Sequence, residues 1–394
     1  MENLRYPLAP AVGWRPAEQF LLLRRDEPVV RVTLPTGDTG WLVTRHEDNK
    51  ALLADPRFSR AAAARARAPR ARLASLEQDA VTTTDPPQHT RLRRLAVSAF
   101  TTGRVTALTP VISRFVADGI DELVKSGQPG DLVQHVSATV PMRVICALLG
   151  LPESDQDWFR DRALVYLSAG GRAAEEVERA GADLRRYLGD AVAERRLRPG
   201  DDLLSGLVAA GDDDKLTDGE IVAFGVTLLM AGYSPTAHQI AGSVFALLHE
   251  PANWRRIVED PGSLPTAVEE LLRYCPMPAS GGTIRIATED VLLGGVLIKA
   301  GEAVLPALVS ANRDETVFTD ADQLVIDRAD NPHVAFGHGI HRCLGAQLAR
   351  AELRLTLAAL LERLPGLRLA VPAAEIPWQL GGMQRGPAEL PVTW

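Results

Sequence analysis

The stretch HVAFGHGIHRCLGAQLARAEL, residues 333–353, decides how this chain is read. Phe336, Gly337, Gly339, His341, Cys343 and Gly345 punctuate a glycine-rich loop that runs straight into an Ala/Leu-rich segment of helical spacing. A cysteine in that position sits at a helix N-terminus, where unpaired N–H groups and the helix dipole favour thiolate over thiol. Gly337 and Gly339 allow a tight turn, and Gly345 leaves the backbone bare, so that something flat can lie against it. Three chemistries fit such a cysteine: an inert core thiol, one ligand of a zinc site with His333, His338 and His341, or the axial thiolate of a haem. The first two leave the glycines without a purpose.

Composition narrows the class. The 394 residues are 46% hydrophobic and 24% charged, the profile of a globular protein with a large core. A net charge of -7 argues against a nucleic-acid partner, whose electrostatic footprint would be basic. Besides Cys343, the chain has only Cys146 and Cys275, which read as core thiols; three scattered cysteines make no disulfide framework and suit a reducing cytoplasm. Near the N-terminus the longest apolar run is the four residues FLLL, far short of a signal h-region or a membrane span of about 20 residues. The expectation is a cytoplasmic protein, neither exported nor anchored.

Outward from the cysteine loop, most of the chain has helical periodicity: from Pro86 in DPPQHTRLRRLAVSAF, then over 105–150, 172–197, 217–250 and 264–274. Thr217-Asp-Gly-Glu220 reads as a capping box. β-branched runs flank Pro-Thr-Gly-Asp in 29–43, the pattern of a hairpin, and short strands are expected over 283–310. The Arg/Ala-rich stretch 59–84 reads as a loop. No repeat or linker divides the chain, so the expectation is a single domain over 1–394, mainly α with a small β region.

Taken with three further stretches, the cysteine loop resembles the cytochrome P-450 family in its soluble bacterial form, over nearly the whole chain. The resemblance implies a helix-rich triangular domain with small N-terminal and C-terminal β-sheets, holding haem b with the Cys343 thiolate as axial ligand. Glu270 and Arg273 in VEELLRYCPMP match the family's E-x-x-R, seventy residues before Cys343, which implies an ion pair locked onto Arg328. His89 and Arg93, with Arg285 and His341, are implied as contacts of the haem propionates, a task to which arginine's fork of donors is suited. The family also implies ferredoxin and a ferredoxin reductase as electron donors to a monomer. Arg91, Arg93, Arg94, Arg342, Arg350 and Arg354 are the candidate docking cluster, Arg91 and Arg94 alternatively forming a solvated face. Substrate-lining candidates are Met230, Pro278, Ala279, Ser280, Leu380 and Met383, besides the loop 59–84.

One residue breaks a local rule. In LLMAGYSPTAHQI, residues 228–240, Pro235 lies inside a long helical pattern, where a proline costs about 3 kcal/mol. The family opens this helix at A-G-x-[D/E]-T-T, so Ala231 and Gly232 are the expected groove residues and Pro235 falls where the hydrogen-bond ladder is already interrupted. Ser234-Pro235 replaces the acid-Thr pair that the resemblance assigns to proton delivery, leaving Ser234 and Thr236 as the nearby hydroxyls. Three classes of function remain open. The first is an oxidase of secondary metabolism whose small-molecule substrate organises its own proton relay, suited to coupling or dehydrogenation of aromatic or cyclodipeptide-like products, beside ordinary hydroxylation or epoxidation of a polyketide or terpenoid. The second is a peroxide-driven peroxygenase, disfavoured because such enzymes place Arg before the proline. The third is a non-enzymatic haem-binding sensor.

Overall fold

A computed structural model describes residues 4–8, 15–65, 68–69, 80–97, 100–168, 172–209, 216–275, 282–379 and 384–394. The helices are α1 (Gln19–Asp26), α2 (His46–Ala54), α3 (Arg60–Ala63), α4 (Gln88–Val97), α5 (Thr102–Lys125), α6 (Thr139–Leu149) and α7 (Gln156–Tyr166), of which α1, α2, α3 and α7 lie outside the stretches where helix was expected. They continue as α8 (Ala174–Leu197), α9 (Leu203–Val208), α10 (Asp218–His249), α11 (Pro251–Glu259), α12 (Leu264–Tyr274), α13 (Leu308–Ala311) and α14 (Ala346–Arg363). The strands are β1 (Val29–Thr33), β2 (Thr39–Val43), β3 (Phe58–Ser59), β4 (Gly130–Asp131), β5 (Arg285–Ala287) and β6 (Val291–Leu293), then β7 (Val296–Ile298), β8 (Ala303–Pro306), β9 (Arg368–Leu369), β10 (Trp378–Gln379), β11 (Gly386–Pro387) and β12 (Pro391–Thr393). The expected hairpin forms, with Val29 opposite Val43 and Thr33 opposite Thr39. Strand β8 pairs parallel to β2 and antiparallel to β5, giving a five-stranded sheet of order β1-β2-β8-β5-β3. Among the described residues no single helix is long and apolar enough to cross a membrane.

Helix α10 organises the larger core. Its 32 residues would span about 48 Å at 1.5 Å per residue. The capping box opens it: the Thr217 hydroxyl accepts from the Glu220 N–H at 3.2 Å, and the Glu220 carboxylate accepts from the Thr217 N–H at 2.9 Å. Packing against α6, α8 and α14 then buries it almost all round, which accounts for an apolar sequence with little amphipathic bias. Pro235 does not end the helix, which runs on to His249.

Gly232 acts here as a packing residue. A Cβ added to it would stand 2.7 Å from Ile145 Cδ1 and 2.9 Å from Ile145 Cγ1, so the bare Cα is what lets α10 approach α6. Gly232→Val should destabilise the protein by about 1–3 kcal/mol through overpacking, and Ile145→Ala in the same chain should recover part of the loss. Chemical denaturation of the two single variants and the double variant measures the coupling; strict additivity would mean that Ile145 is not the obstacle.

Candidate functional site

The loop ahead of α14 is built by two left-handed glycines, Gly337 and Gly339, both at φ 70°. Gly339 has a second constraint, because a Cβ there would run into the Leu53 carbonyl at the end of α2. The Cys343 N–H donates to the Phe336 carbonyl at 2.8 Å, which folds the loop back so that the sulfur lies just before the first turn of α14. The Cys343 side chain is exposed, yet surrounding protein raises its pKa. Both hold for a sulfur on the floor of a deep cleft. Burial is the larger influence; the Gly345 N–H, donated to the sulfur, and the charges of Arg342, Arg93 and Arg350 act against it and favour the thiolate. At Gly345 itself an added Cβ would meet only Phe100, at 3.7 Å.

Beside the sulfur a cationic cluster assembles from four elements. His89 on α4 and His341 of the cysteine loop have ring centroids 4.3 Å apart. Arg285 on β5 and Arg60 on α3 lie close enough for their charges, after burial, to hold the His341 pKa down at about 3. Burial likewise pulls Arg285 down to about 10, opposed only by Asp85. His89 Nε2, His341 Nε2 and Arg285 Nε are buried without a protein partner. Buried donors of this kind are met by a ligand or water in almost every protein, and a set made of two imidazoles and a guanidinium is complementary to carboxylates. Arg93 donates one N–H to the Arg342 carbonyl at 2.8 Å. Arg60 and Asp85 carried no signal in the sequence. Arg60 donates to the Thr82 carbonyl at 2.9 Å and to that of Ile284, while Asp85 accepts from the Arg60 N–H at 3.0 Å, and these partners lie far apart in the chain.

The E-x-x-R pair lies behind this cleft. Arg273 holds Glu270 through Nε at 2.8 Å and Nη2 at 2.7 Å, and Arg328 reaches the same carboxylate at 3.0 Å. Glu270 also accepts from the Val325 N–H and from Asn331, and Arg273 donates to the carbonyls of Asn312, Ala321 and Gln323, so this buried charge network is well satisfied. The neighbouring Glu269 takes Arg350 by two bonds, of 2.6 and 2.8 Å, and His333 at 3.1 Å. Arg350 and Arg91 therefore do not belong to an open docking cluster: the first is committed to Glu269 and the second to Glu220. His333, turned to Glu269, is likewise unavailable to a zinc site, and among the described residues no group of three potential metal ligands forms.

Between Phe224 and Leu248 the accessible positions of α10 are Thr227, Ala231, Gly232, Pro235 and His238, which recur at helical spacing as a stripe on an otherwise buried stretch. Thr236, about 100° further round, is buried, and Met230 is buried in the main core rather than on this stripe. Met230 thus departs from the pocket role expected of it. The Ser234 hydroxyl donates to Gln384 Oε1 at 3.1 Å. His238 Nδ1 lies 2.7 Å from the Ser234 carbonyl, which can only accept, so Nδ1 carries the proton; Nε2 lies 2.8 Å from the Gln379 side chain. Between this helix and the start of the cysteine loop, Gln239 of α10, Cys275, Leu308 and Ala335 line a small void with room for about one water molecule. The expected pocket residues Pro278, Ala279, Ser280, Leu380 and Met383, and most of 66–79, lie outside the described residues.

Comparison with known proteins agrees with this architecture. Residues 263–366 match the cytochrome P450 family model. The chain is 48% identical over 390 residues, 99% of its length and 98% of the relative's, to nocardicin C N-oxygenase of Nocardia uniformis subsp. tsuyamanensis. It is 43% identical to mycinamicin IV hydroxylase/epoxidase of Micromonospora griseorubida, over 100% of this chain and 99% of that one. Among solved structures, the LnmA cytochrome P450 hydroxylase of the leinamycin pathway of Streptomyces atroolivaceus S-140 superposes with a TM-score of 0.92 at 46% identity, covering 99% of this chain and all of that one.

The Glu269 cluster makes a prediction about acid stability. Burial alone would raise the Glu269 pKa, but the hydrogen bonds and charges of Arg350 and His333 outweigh it and hold the carboxyl at about 2 against an ordinary 4.5. Because the folded value is the lower one, the stabilisation is fully present above about pH 4.5 and is lost as pH falls towards 2. Glu269→Gln should cost roughly 1–2 kcal/mol at pH 7 after solvent screening, and the gap between variant and parent should close in denaturation curves taken at successively lower pH.

Proposed function

The chain belongs to the cytochrome P450 family, and on that premise we propose that it is a haem-thiolate oxidase acting on a small natural product whose own N–H or O–H completes the proton path. The observation that carries this reading is the Ser234-Pro235 pair inside an unbroken α10, with the Ser234 hydroxyl proton engaged by Gln384. A thiolate-ligated haem, when bound and reduced in the presence of O2, supplies an oxidant strong enough to insert oxygen or abstract hydrogen. This chain's residues hold and surround it. Cys343, with the Gly345 N–H on its sulfur, would be the ligand, Phe336 and Gly337 would shape the loop around it, and His89, His341, Arg285 and Arg93 would hold the propionates. Their unpartnered buried donors are the reason for that assignment.

At the substrate face Pro235 has no N–H for the Ala231 carbonyl, four residues earlier and on the accessible stripe. That carbonyl is an acceptor offered to the cleft. A substrate N–H or O–H bonded to it stands where the family's alcohol would stand. The relative that acts as an N-oxygenase fits a nitrogen-bearing substrate. Electrons come from a reduced ferredoxin and its reductase, docking on the cysteine side at the exposed Arg94, Arg342 and Arg354. A single domain over residues 1–394 works in this way as a cytoplasmic monomer.

Two measurements test the reading. The reduced carbon-monoxide complex should show the absorption band characteristic of thiolate ligation, and Cys343→Ala should lose it; a variant that kept the band would refute the ligand. The ratio of product formed to NADPH consumed should be high with the true substrate and fall with an analogue lacking its exchangeable hydrogen, and Pro235→Thr should partly restore it. Loss of a general-acid route costs about 10²- to 10⁴-fold, so equal coupling for substrate and analogue in the native enzyme would point to a donor in the protein instead.

A further inference from the structure

Among the described residues six arginines are buried: Arg24, Arg60, Arg273, Arg285, Arg313 and Arg385. A buried guanidinium brings five N–H donors and a charge, both of which need partners. Arg273 has Glu270 at 2.7 Å, Arg24 has Glu315 at 3.0 Å, and Arg313 has Asp322 at 3.2 Å. Arg60 and Arg285 stand with His89 and His341 around the proposed propionate site. Arg385 belongs to neither set. It is 8% exposed, its Nη1 donates to the Arg15 carbonyl at 2.9 Å, and its Nε and Nη2 are buried without a protein partner. Burial pulls its pKa down to about 10, and among the described residues no carboxylate is near enough to oppose that.

The two unpartnered atoms form the edge of the guanidinium that binds a carboxylate side-on through parallel N–H···O bonds. This protein uses that edge elsewhere: Arg273 meets Glu270, and Arg350 meets Glu269, through Nε and Nη2. The position is also telling. On one side of Arg385, Gln384 accepts the Ser234 hydroxyl; on the other, Gly386 packs so close to α10 that a Cβ would stand 2.9 Å from His238 Cδ2. Arg385 thus sits on the segment that closes against α10 beside Pro235, with its own side chain turned to Arg15.

We propose that Arg385 is the recognition site for a carboxylate on the substrate, so that the enzyme oxidises an organic acid anchored at this guanidinium. This deepens the proposed function and rests on it for the location of the cleft. The buried setting excludes competing water, which makes a two-pronged ion pair selective against uncharged isosteres.

The test uses the haem-loaded ferric protein and three acids, 3-phenylpropionate, 4-phenylbutyrate and indole-3-butyrate, each paired with its methyl ester, with binding read by calorimetry. The acids should bind the parent protein about tenfold or more tighter than the esters. Arg385→Gln should abolish that preference, and Arg385→Lys, a point charge without the fork, should keep a smaller one. Equal affinity of acids and esters for the parent, no binding of any acid at millimolar concentration, or an undiminished preference in Arg385→Gln would each overturn the proposal. If Arg385→Gln does not fold, the parent ratio and the Lys variant decide. The reduced carbon-monoxide spectrum of the parent and of each variant keeps the two readings apart: a missing thiolate band in the parent faults the haem assignment, whereas an intact band with no acid preference faults Arg385 alone.

Discussion

A sulfur that stays reachable at the bottom of a cleft, and that the proposed haem ligation needs as a thiolate, is the constraint from which much of this structure follows. Protein packed around a sulfur raises its pKa, and a cleft deep enough to exclude water does so strongly. The chain answers with the Gly345 N–H and with the charges of Arg342, Arg93 and Arg350, all set near the first turn of α14. For that geometry the loop must reverse twice within a few residues, which is what the two left-handed glycines, Gly337 and Gly339, accomplish. Gly339 also has to slip under the end of α2, so the loop's shape is tied to an element nearly three hundred residues earlier.

The cationic cluster carries the opposite problem. His89, His341, Arg285 and Arg60 crowd together from α4, the cysteine loop, β5 and α3, and the protein supplies little negative charge to them beyond Asp85. Such an arrangement disfavours the folded chain by itself and becomes favourable when an anion arrives. Binding of the group and stability of the fold are therefore linked. Nearby, the Glu270 network shows what the chain does where no ligand is awaited: both buried arginines and the carboxylate are satisfied internally, down to the backbone carbonyls. The contrast between a completed network and an incomplete one separates structural charges from binding charges, and Arg385 falls on the incomplete side.

Helix α10 joins the two. It crosses the core, packs at Gly232 against Ile145, and presents one accessible stripe. Pro235 there removes the hydrogen bond to the Ala231 carbonyl, and under the proposed function that carbonyl serves the substrate, which would explain why a locally unfavourable residue is kept. Ser234 beside it is turned to Gln384, which links the helix to the segment leading into β11.

The sequence by itself determined the cysteine loop, the helix after it, the capping box and long helix of 217–249, the β1–β2 hairpin and the E-x-x-R pair with Arg328. Each of these depends on residues close in the chain or on a motif whose spacing is its meaning. Only the tertiary structure decided the roles of side chains whose partners lie far away. Gly232 proved to be a contact with α6, Arg350 and Arg91 proved to be internal ion pairs, and Thr236 and Met230 turned into the core, because helical phase and the surface opposite are set by packing. Arg60, Asp85 and Arg385 were illegible in the sequence for the same reason. A charged residue looks the same in a string of letters whether its counter-charge is supplied by the chain or by a ligand, and burial, which makes that difference matter, exists only after folding.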